Sequence, residues 1–583
     1  MSALPITRPT DVITLTVQVD GAELPRTVAL QGVEVVNQAN RVPYARLRIG
    51  DGDAARGDFM RSTGELFVPG NKIQIAAGYH GETEAIFGGV ILTQRIVSRD
   101  GASWLEVECR DPVFVMTLVR RNRYFEEMSD SDVAKKLLGE YPGSGVSAGE
   151  VASSDVSHPQ LLQYQSSDWD FLVSRVEAAG QLCFADAGKV ATVKPTLDDP
   201  PAAALDYGFT VLELDAEIDA RTQSGAVRAV AWDPAEQTLL EASAKDPGWS
   251  GNGNLGASKL SAAAGRTEDV LWHGGSLAND QLQKWADGAL LRARLAAARG
   301  RVRFVGLTAV KPGALLELSR LGERFNGKVY VTGVRHEFSS GRWITDAEFG
   351  LPREPHAARV AMDHLPAAGL AAAVHGLQIG VVSELADDPG KEHRVRVKVP
   401  LAGMGEQGVW ARVATLDAGD KRGTFFRPEV GDEVVLGFFH DDPSQPVILG
   451  MLHSRKKAPP LEATADNHTK AYVSRSGLTL EFDDDKKVMT LRTPGKNRIV
   501  LSDEDGGITL EDQHGNKLVL GEEGVVIESA KKAVALTAKT KLEAKANKIA
   551  LESQTTLEAK AQAKAEVSSS GNLTLKGSMV MIN

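Results

Sequence analysis

Two glycine-framed motifs, two cysteines and twelve histidines are where residue type and spacing in this chain suggest covalent or cofactor chemistry. Gly145-Val146-Ser147-Ala148-Gly149 has the spacing of a serine-hydrolase nucleophile elbow, in which an entering strand and a leaving helix thrust the Ser out on a strained turn. Tyr141-Pro142-Gly143 precedes it and the polar stretch 150–154 follows, so neither element is predicted and a surface loop is expected. Gly251-Asn252-Gly253-Asn254-Leu255-Gly256 has the spacing of a dinucleotide fingerprint. The stretch 245–250 before it is not strand-like, so a loop is expected with no helix N-terminus to receive a pyrophosphate. Cys109 and Cys183 are too few for a disulfide framework and lack paired zinc spacing; both are expected as buried thiols. No two His residues form a spaced pair on one helix, and His336, beside Arg335 in a strand, is read as structural. Catalytic residues, metal ligands and cofactors are therefore all predicted to be none, and a secreted hydrolase survives as a reading only through Ser147.

The remaining chemistry is adhesive. The chain runs out on Met579-Val580-Met581-Ile582-Asn583. Leaving an apolar end in water costs about 25 cal/mol per Å². Three copies gathered by symmetry would make a blunt apolar platform, the usual mark of a partner site. Met579, Val580, Met581, Ile582 and Asn583 are accordingly the predicted partner-binding residues. His514 is the last His, so a metal stiffening this tip would belong to another polypeptide.

Such a tip needs a rigid support, and residues 477–583 repeat a short strand-and-turn unit roughly every eight residues. Ile508-Thr509-Leu510, Leu518-Val519-Leu520, Val525-Val526-Ile527, Val534-Ala535-Leu536, Leu542-Glu543-Ala544, Ile549-Ala550-Leu551, Leu557-Glu558-Ala559 and Leu573-Thr574-Leu575 place apolar residues two apart on one face. A rung of a single-chain solenoid covers three faces and needs roughly twenty residues. Eight cover one face, which predicts an intertwined homotrimer with each chain supplying one face per layer. About a dozen strands at a spacing of ~4.8 Å give a needle on the order of 55–60 Å long.

A helix is the rival reading, because residues 529–570 are rich in Ala, Lys and Glu. A coiled coil needs a second apolar residue three or four positions after each first one. After Leu542, Ile549 and Leu557 those positions hold Lys545 and Ala546, Glu552 and Ser553, and Lys560 and Ala561. The second seam is missing or only Ala, so strand is predicted.

Upstream, residues 12–118 read as alternating strands of a barrel-like module. A helix is predicted from Ser129, capped with Asp132, and another from Ser167, with Asp168 and Asp170 in its first turn and Gly180 closing it. A longer helix over 279–299 should bury Leu282, Trp285, Leu290, Leu291 and Leu295 and end at Gly300. Residues 351–375 are Ala- and Pro-rich and read as a linker, 376–455 as a small five-stranded barrel of the OB type, and 456–476 as a polar connector.

Composition sets the limits. With 583 residues, 42% hydrophobic, the chain is long enough for three or four domains with real cores. Its net charge of −11 disfavours nucleic-acid or anionic-membrane binding, which requires a basic face. Acidic residues outnumber Lys and Arg between Gly376 and Gly450, so the barrel is read as structural and nucleic acid is not an expected partner. No signal-peptide pattern opens the sequence, so if the protein leaves its cell a route other than the standard signal peptide is expected to export it; a cytoplasmic location until assembly is the expectation.

Several segments in order resemble a known family: the VgrG tip proteins of type VI secretion systems, with the related spikes of extracellular contractile injection systems and phage tails. They are 69–91, Ser167-Asp168-Trp169-Asp170-Phe171-Leu172, 325–336 and the barrel signature Asp387-Asp388-Pro389, Arg396-Val397-Lys398-Val399, Trp410-Ala411-Arg412-Val413, Gly431-Asp432-Glu433-Val434 and 442–447. The resemblance implies a mainly β, multi-domain protein: tail-hub-like β-barrel domains with a few helices over 1–350, the linker, an OB-fold, and a C-terminal trimeric β-prism needle over 477–583. It implies a PAAR-repeat cap at the tip, an inner tube of hexameric rings and baseplate proteins at the base, effectors and their chaperones as cargo, and penetration of a target membrane. Residues 455–471 are too short to hold a lysozyme-like insert, and no effector domain is expected after Asn583, so toxic activity would be carried by a partner.

Overall fold

The computed structural model describes residues 4–582, leaving out 7, 8, 251, 363, 364 and 406. Tip residue Asn583, part of the N-terminal stretch and the first Gly of the 251–256 motif thus lie outside the described residues. The chain divides into two compact units, Met1–Ala372 and Ala373–Asn583.

The first unit is organised by a thirteen-stranded sheet. Ile13–Val19, Lys72–Tyr79, Glu82–Arg99, Ala102–Arg110, Tyr44–Gly50 and Leu30–Gln38 are successive neighbours, and Leu30–Gln38 then pairs with Gly327–Ser339. Strict alternation explains the face that is buried: Ala45, Leu47 and Ile49 are inside, whereas Arg46 and Arg48 point outward. The sheet curls so that Val35, Leu47, Ile75, Ile91, Leu105 and Trp343 share one core. Tyr79 fastens the curl by donating to the Gly306 carbonyl at 2.9 Å, with its ring 5.1 Å from that of Trp343. Cys109 lies in this core and Cys183 in the neighbouring one, both as free thiols pushed upward by burial. His336 is buried, sits 3.0 Å from the Thr345 hydroxyl and is pushed down to about 4, so it is a neutral packing residue.

The two capped helices form as the sequence predicts. Asp130–Gly139 carries a full capping box between Ser129 and Asp132, and Asp168–Ala178 is capped by Ser167, which accepts from the Asp170 N–H. The longer helix is Asn279–Leu295 and stops well short of Gly300, which corrects its predicted end. Gly300 lies inside the strand Ala298–Val305, where a Cβ would come within 2.2 Å of the Asp215 carbonyl and 2.6 Å of the Phe349 ring. That glycine serves close strand approach rather than a helix cap. Leu282, Leu290, Leu291 and Leu295 are buried; Trp285 is only partly covered.

The stretch 351–375 is anchored in its first half. Arg353 pairs with Asp269 at 2.6 Å, the His356 ring lies 2.9 Å from Asp170, and the His356 N–H donates to Glu177 at 2.6 Å. Glu177 also receives Arg292 at 2.8 Å and Asn40 at 2.6 Å, so one buried carboxylate ties this strap to two other elements.

In the second unit, Gln378–Glu384, Val395–Lys398, Val409–Val413, Pro446–Met451 and Glu433–Phe438 close a five-stranded barrel in that spatial order. Val382, Val395, Val397, Ala411, Val434, Leu436 and Ile448 fill it. The Asp387-Asp388-Pro389 signature builds a turn: the Asp388 carboxylate accepts from the Gly390, Glu392 and Arg394 N–H groups and from the Arg394 guanidinium at 2.7 Å, which holds it far below the usual carboxylate range.

Beyond the barrel, seven strands follow in a simple antiparallel meander: Thr469–Val473, Thr479–Asp483, Val488–Arg492, Arg498–Ser502, Gly507–Glu511, Lys517–Gly521 and Gly524–Glu528. The repeat therefore starts at Thr469, inside the stretch read as a connector. The barrel meets it through the Phe426 and Tyr472 rings, 4.7 Å apart, and the Arg475–Glu429 pair at 3.0 Å. Residues 529–582 form no helix, in line with the missing second seam. They also form no ladder within the chain, so seven strands, rather than about a dozen, pair intramolecularly. The units predicted as strands at Val534, Leu542, Ile549, Leu557 and Leu573 lie in no strand here, because a strand forms only against a neighbour that satisfies its backbone and they have none in their own chain.

Candidate assembly and docking surfaces

The meander presents two chemically different faces. Leu480, Leu491, Ile499, Leu510, Leu518 and Ile527 stand opposite one another in register across six strands. Two residues along each strand, Phe482, Met489, Leu501, Ile508, Leu520 and Val525 form a second such column on the same face. None of the twelve is fully buried, and a trough of about 840 Å³ runs over the first column and reaches Val534. The opposite face is mixed: Thr490, Val500, Thr509, Val519 and Val526 stand in register along it, Thr479 and Ser502 are buried on it, and cross-strand ion pairs such as Arg498–Glu511 at 2.7 Å and Arg492–Glu481 at 3.3 Å flank them.

Sequence reasoning located Leu510, Leu520 and Ile527 on this surface. It began the repeat at Gly477, which takes in Leu480 and Phe482 at the head of the columns but leaves out the first strand, Thr469–Val473.

The tail 529–582 extends the problem. Val534, Leu536, Leu542, Ile549, Leu551 and Leu557 are all exposed, and among the described residues this segment makes no backbone-to-backbone hydrogen bond. The predicted tip residues lie at its end in no strand, with Met579 77%, Val580 52%, Met581 76% and Ile582 85% exposed. The chain alone brings them together only as neighbours in sequence.

The motifs with catalytic spacing assemble no site. Ser147, expected in a surface loop, instead opens the strand Ser147–Val151, paired with Lys189–Val193 and with its N–H bonded to the Gly188 carbonyl at 2.9 Å, and no helix leaves it. Residues 252–256 are a loop with no strand running into it, but here one expectation is corrected: a helix, Ala257–Ala264, does follow. Its Ala-rich run favours helix and Gly265, at φ +66°, ends it in the left-handed region. Among the described residues no three His, Cys, Asp or Glu side chains cluster as a metal site, and no helix is long and apolar enough to cross a membrane.

Three family models match successive parts of the chain. Residues 9–340 match the Alg8 N-terminal domain, 378–453 the type VI secretion system/phage-baseplate injector OB domain, and 488–583 the phage baseplate V C-terminal trimerisation domain. Among solved structures, the chain is similar to a tail protein from Neisseria meningitidis MC58 at 16% identity, over 58% of this chain and 97% of that one, with a TM-score of 0.44. It is similar to the E. coli c3393 protein, a type VI secretion component likened to the T4 tail proteins gp27 and gp5, at 14% identity over 75% and 99%, with a TM-score of 0.37. The Francisella PdpA–VgrG complex matches at 10% identity over 88% of this chain and 80% of that one, with a TM-score of 0.39.

Proposed function

The chain belongs to the family of the Alg8 N-terminal domain, joined here to an injector-type OB domain and a trimerisation domain, and from that premise we propose that it is the puncturing spike of a contractile secretion or injection apparatus. It is a spike-like structural protein of the type VI secretion and phage-baseplate kind. Three chains pair their apolar columns around one axis, and the tails 529–582 complete each other's ladders. The trimer transmits axial thrust, carries no reaction of its own, and offers its blunt end to a PAAR-type cap with its effectors. An inner tube and baseplate support it at the base, and a target membrane yields to it at the point.

The observation that carries this reading is the pair of apolar columns continued by an unpaired tail. Within one chain they leave twelve large side chains without a covering layer and a long run of backbone without partners, each such side chain worth about 1.5–3 kcal/mol when fully buried. The test is the mass of the purified full chain by light scattering at micromolar concentration. Three times the chain mass is expected, and a stable folded monomer would overturn the reading. Because the OB family spans both type VI secretion and phage baseplates, neighbouring genes decide which apparatus is served; a membrane-complex operon marks type VI secretion. An activity screen of the trimer with and without Ser147→Ala separates the spike from a hydrolase.

A further inference from the structure

We propose that the flank of the tail 529–583, gathered in threes, is a polycationic surface that docks on a lipid bilayer bearing anionic headgroups, an inference that rests on the spike reading above. The chain's net charge of −11 hides a segregation. Residues 529–583 hold nine Lys and four Glu, with no Arg or Asp, a balance of +5, so the remaining 528 residues carry −16. The change is abrupt. The meander 469–528 holds twelve acidic residues against eight basic ones and closes on Glu522, Glu523 and Glu528, whereas Lys531 and Lys532 open the tail. Charge thus changes sign where pairing within the chain stops. A whole-chain balance, which disfavours an anionic partner, misjudges this segment.

The positive charge faces outward. Every described Lys of the tail is exposed. Glu543 is shared by Lys541 and Lys545, Glu558 takes Lys560 at 2.7 Å, and Glu566 takes Lys564. Lys531, Lys532, Lys539, Lys548 and Lys576 have no ion pair among the described residues. Side chains of an extended chain alternate between two faces. Lys541 and Lys545 fall opposite Leu542, Lys548 opposite Ile549, Lys560 opposite Leu557, and Lys576 opposite Leu575. Strands that turn these apolar residues to the trimer axis therefore turn the ammonium groups to the outside.

Three copies of the tail carry +15. One eight-residue unit per layer at ~4.8 Å makes this part of the shaft roughly 33 Å long, or one positive charge per about 2 Å. Duplex DNA carries its negative charges at about one per 1.7 Å and condenses counterions. A rod of similar density repels itself, and a surface of fixed anions that displaces its small counterions relieves the repulsion and releases those ions.

A bilayer fits this surface better than a nucleic acid does. The tail has no Arg, His, Phe, Tyr or Trp, so it offers no planar fork to grip a phosphate and no ring to stack on a base. Lys on flexible stems, spread among Ala, Ser and Thr, needs no register, and lipid headgroups can move to meet it.

The test is flotation of the full chain with vesicles of phosphatidylcholine and of an equimolar phosphatidylcholine–phosphatidylglycerol mixture. The trimer should float with the mixed vesicles at 0.1 M salt, where the Debye length is about 10 Å, and be released at 1 M, where it is about 3 Å. Phosphatidylcholine alone, which registers any contact made by the apolar end, should carry little. Lys531→Gln, Lys532→Gln, Lys539→Gln, Lys548→Gln and Lys576→Gln together leave the tail neutral. They should weaken binding about tenfold or more, each Lys near an anionic surface being worth about fivefold. Trimer mass should be kept and melting should not fall, because repulsion has been removed. Equal flotation with both vesicles would overturn the proposal, as would undiminished binding by the Gln variant or tighter binding to duplex DNA at the same salt. A trimer that ignores the mixed vesicles overturns this surface and leaves the spike reading standing. A folded monomer whose flotation still depends on the five Lys supports the surface and overturns the spike.

Discussion

Residues 469–528 and 529–582 carry the same alternation of apolar and polar residues, yet the first segment completes its ladder within the chain and the second does not. The difference lies in the turns. Between the strands of the meander Gly477, Lys487, Lys496, Gly506 and Gly515 adopt positive φ, as does Gly524 at the head of the last strand, and Asp512 accepts from the His514 and Asn516 N–H groups to fold its turn. Gly524 is the last described residue with positive φ. From 529 to 570 there is no Gly, Pro or Asp and Asn547 is the one Asn, so tight reversals are disfavoured there. A strand sequence without reversal residues has to find its neighbours in other chains. Turn chemistry, more than hydrophobic pattern, sorts intramolecular from intermolecular pairing.

The largest effect expected from this contrast follows from ending the chain after Glu528. The meander should still form, because its hydrogen bonds are internal, while trimerisation at micromolar concentration should be lost. Light scattering checks it, and a truncated chain that remains trimeric would place assembly in the columns alone. The double substitution Ile499→Asp and Leu510→Asp comes next. It puts two carboxylates per chain side by side in the first apolar column and should cost on the order of 3 kcal/mol or more per site in the assembly. Arg492→Gln and Arg498→Gln, at exposed ion pairs on the opposite face, should each stay within about 0.5 kcal/mol. Denaturant midpoints of the two pairs, measured at one protein concentration, decide whether the faces differ as described.

What the sequence made legible follows the same line. Capping residues such as Ser129, Asp132 and Ser167 act within one turn, and their helices start where predicted. The five-stranded barrel was readable because turn residues separate short β-branched runs. The end of the helix Asn279–Leu295 was not, because Gly300 is explained by a strand partner, Asp215, far away in sequence. The strap around His356 was equally hidden: a Pro- and Ala-rich stretch gives no sign that Glu177 will receive its backbone. For the tail, periodicity excluded a helix but said nothing of which chain supplies the neighbouring strand.

A smaller effect tests the turn argument itself. Lys548→Gly creates an Asn-Gly pair with Asn547 in the middle of the tail, the strongest short hairpin signal. Glycine within a strand costs roughly 0.5–1 kcal/mol, so trimer stability should drop by about that much per chain. Hydrogen exchange should lose protection around 540–556 first. If protection is unchanged, the absence of reversal residues is not what keeps the tail extended.

The smallest effect on assembly, and the largest on partners, is expected at the end of the tail. Met579→Asp with Met581→Asp adds six carboxylates to the blunt end of a trimer, where a cap would have to desolvate them against their mutual repulsion. Both positions follow the repeat units at Leu557 and Leu573 in sequence, so the change leaves the apolar residues of those units untouched. Trimer mass and melting should therefore stay nearly unchanged while co-purification of a PAAR-type cap is lost. Undiminished cap binding would show that the end is not the docking face. Failure to trimerise would show that the tail nucleates at its tip, and the contrast between a self-paired meander and a partner-paired tail would then have to be redrawn with assembly starting from the point.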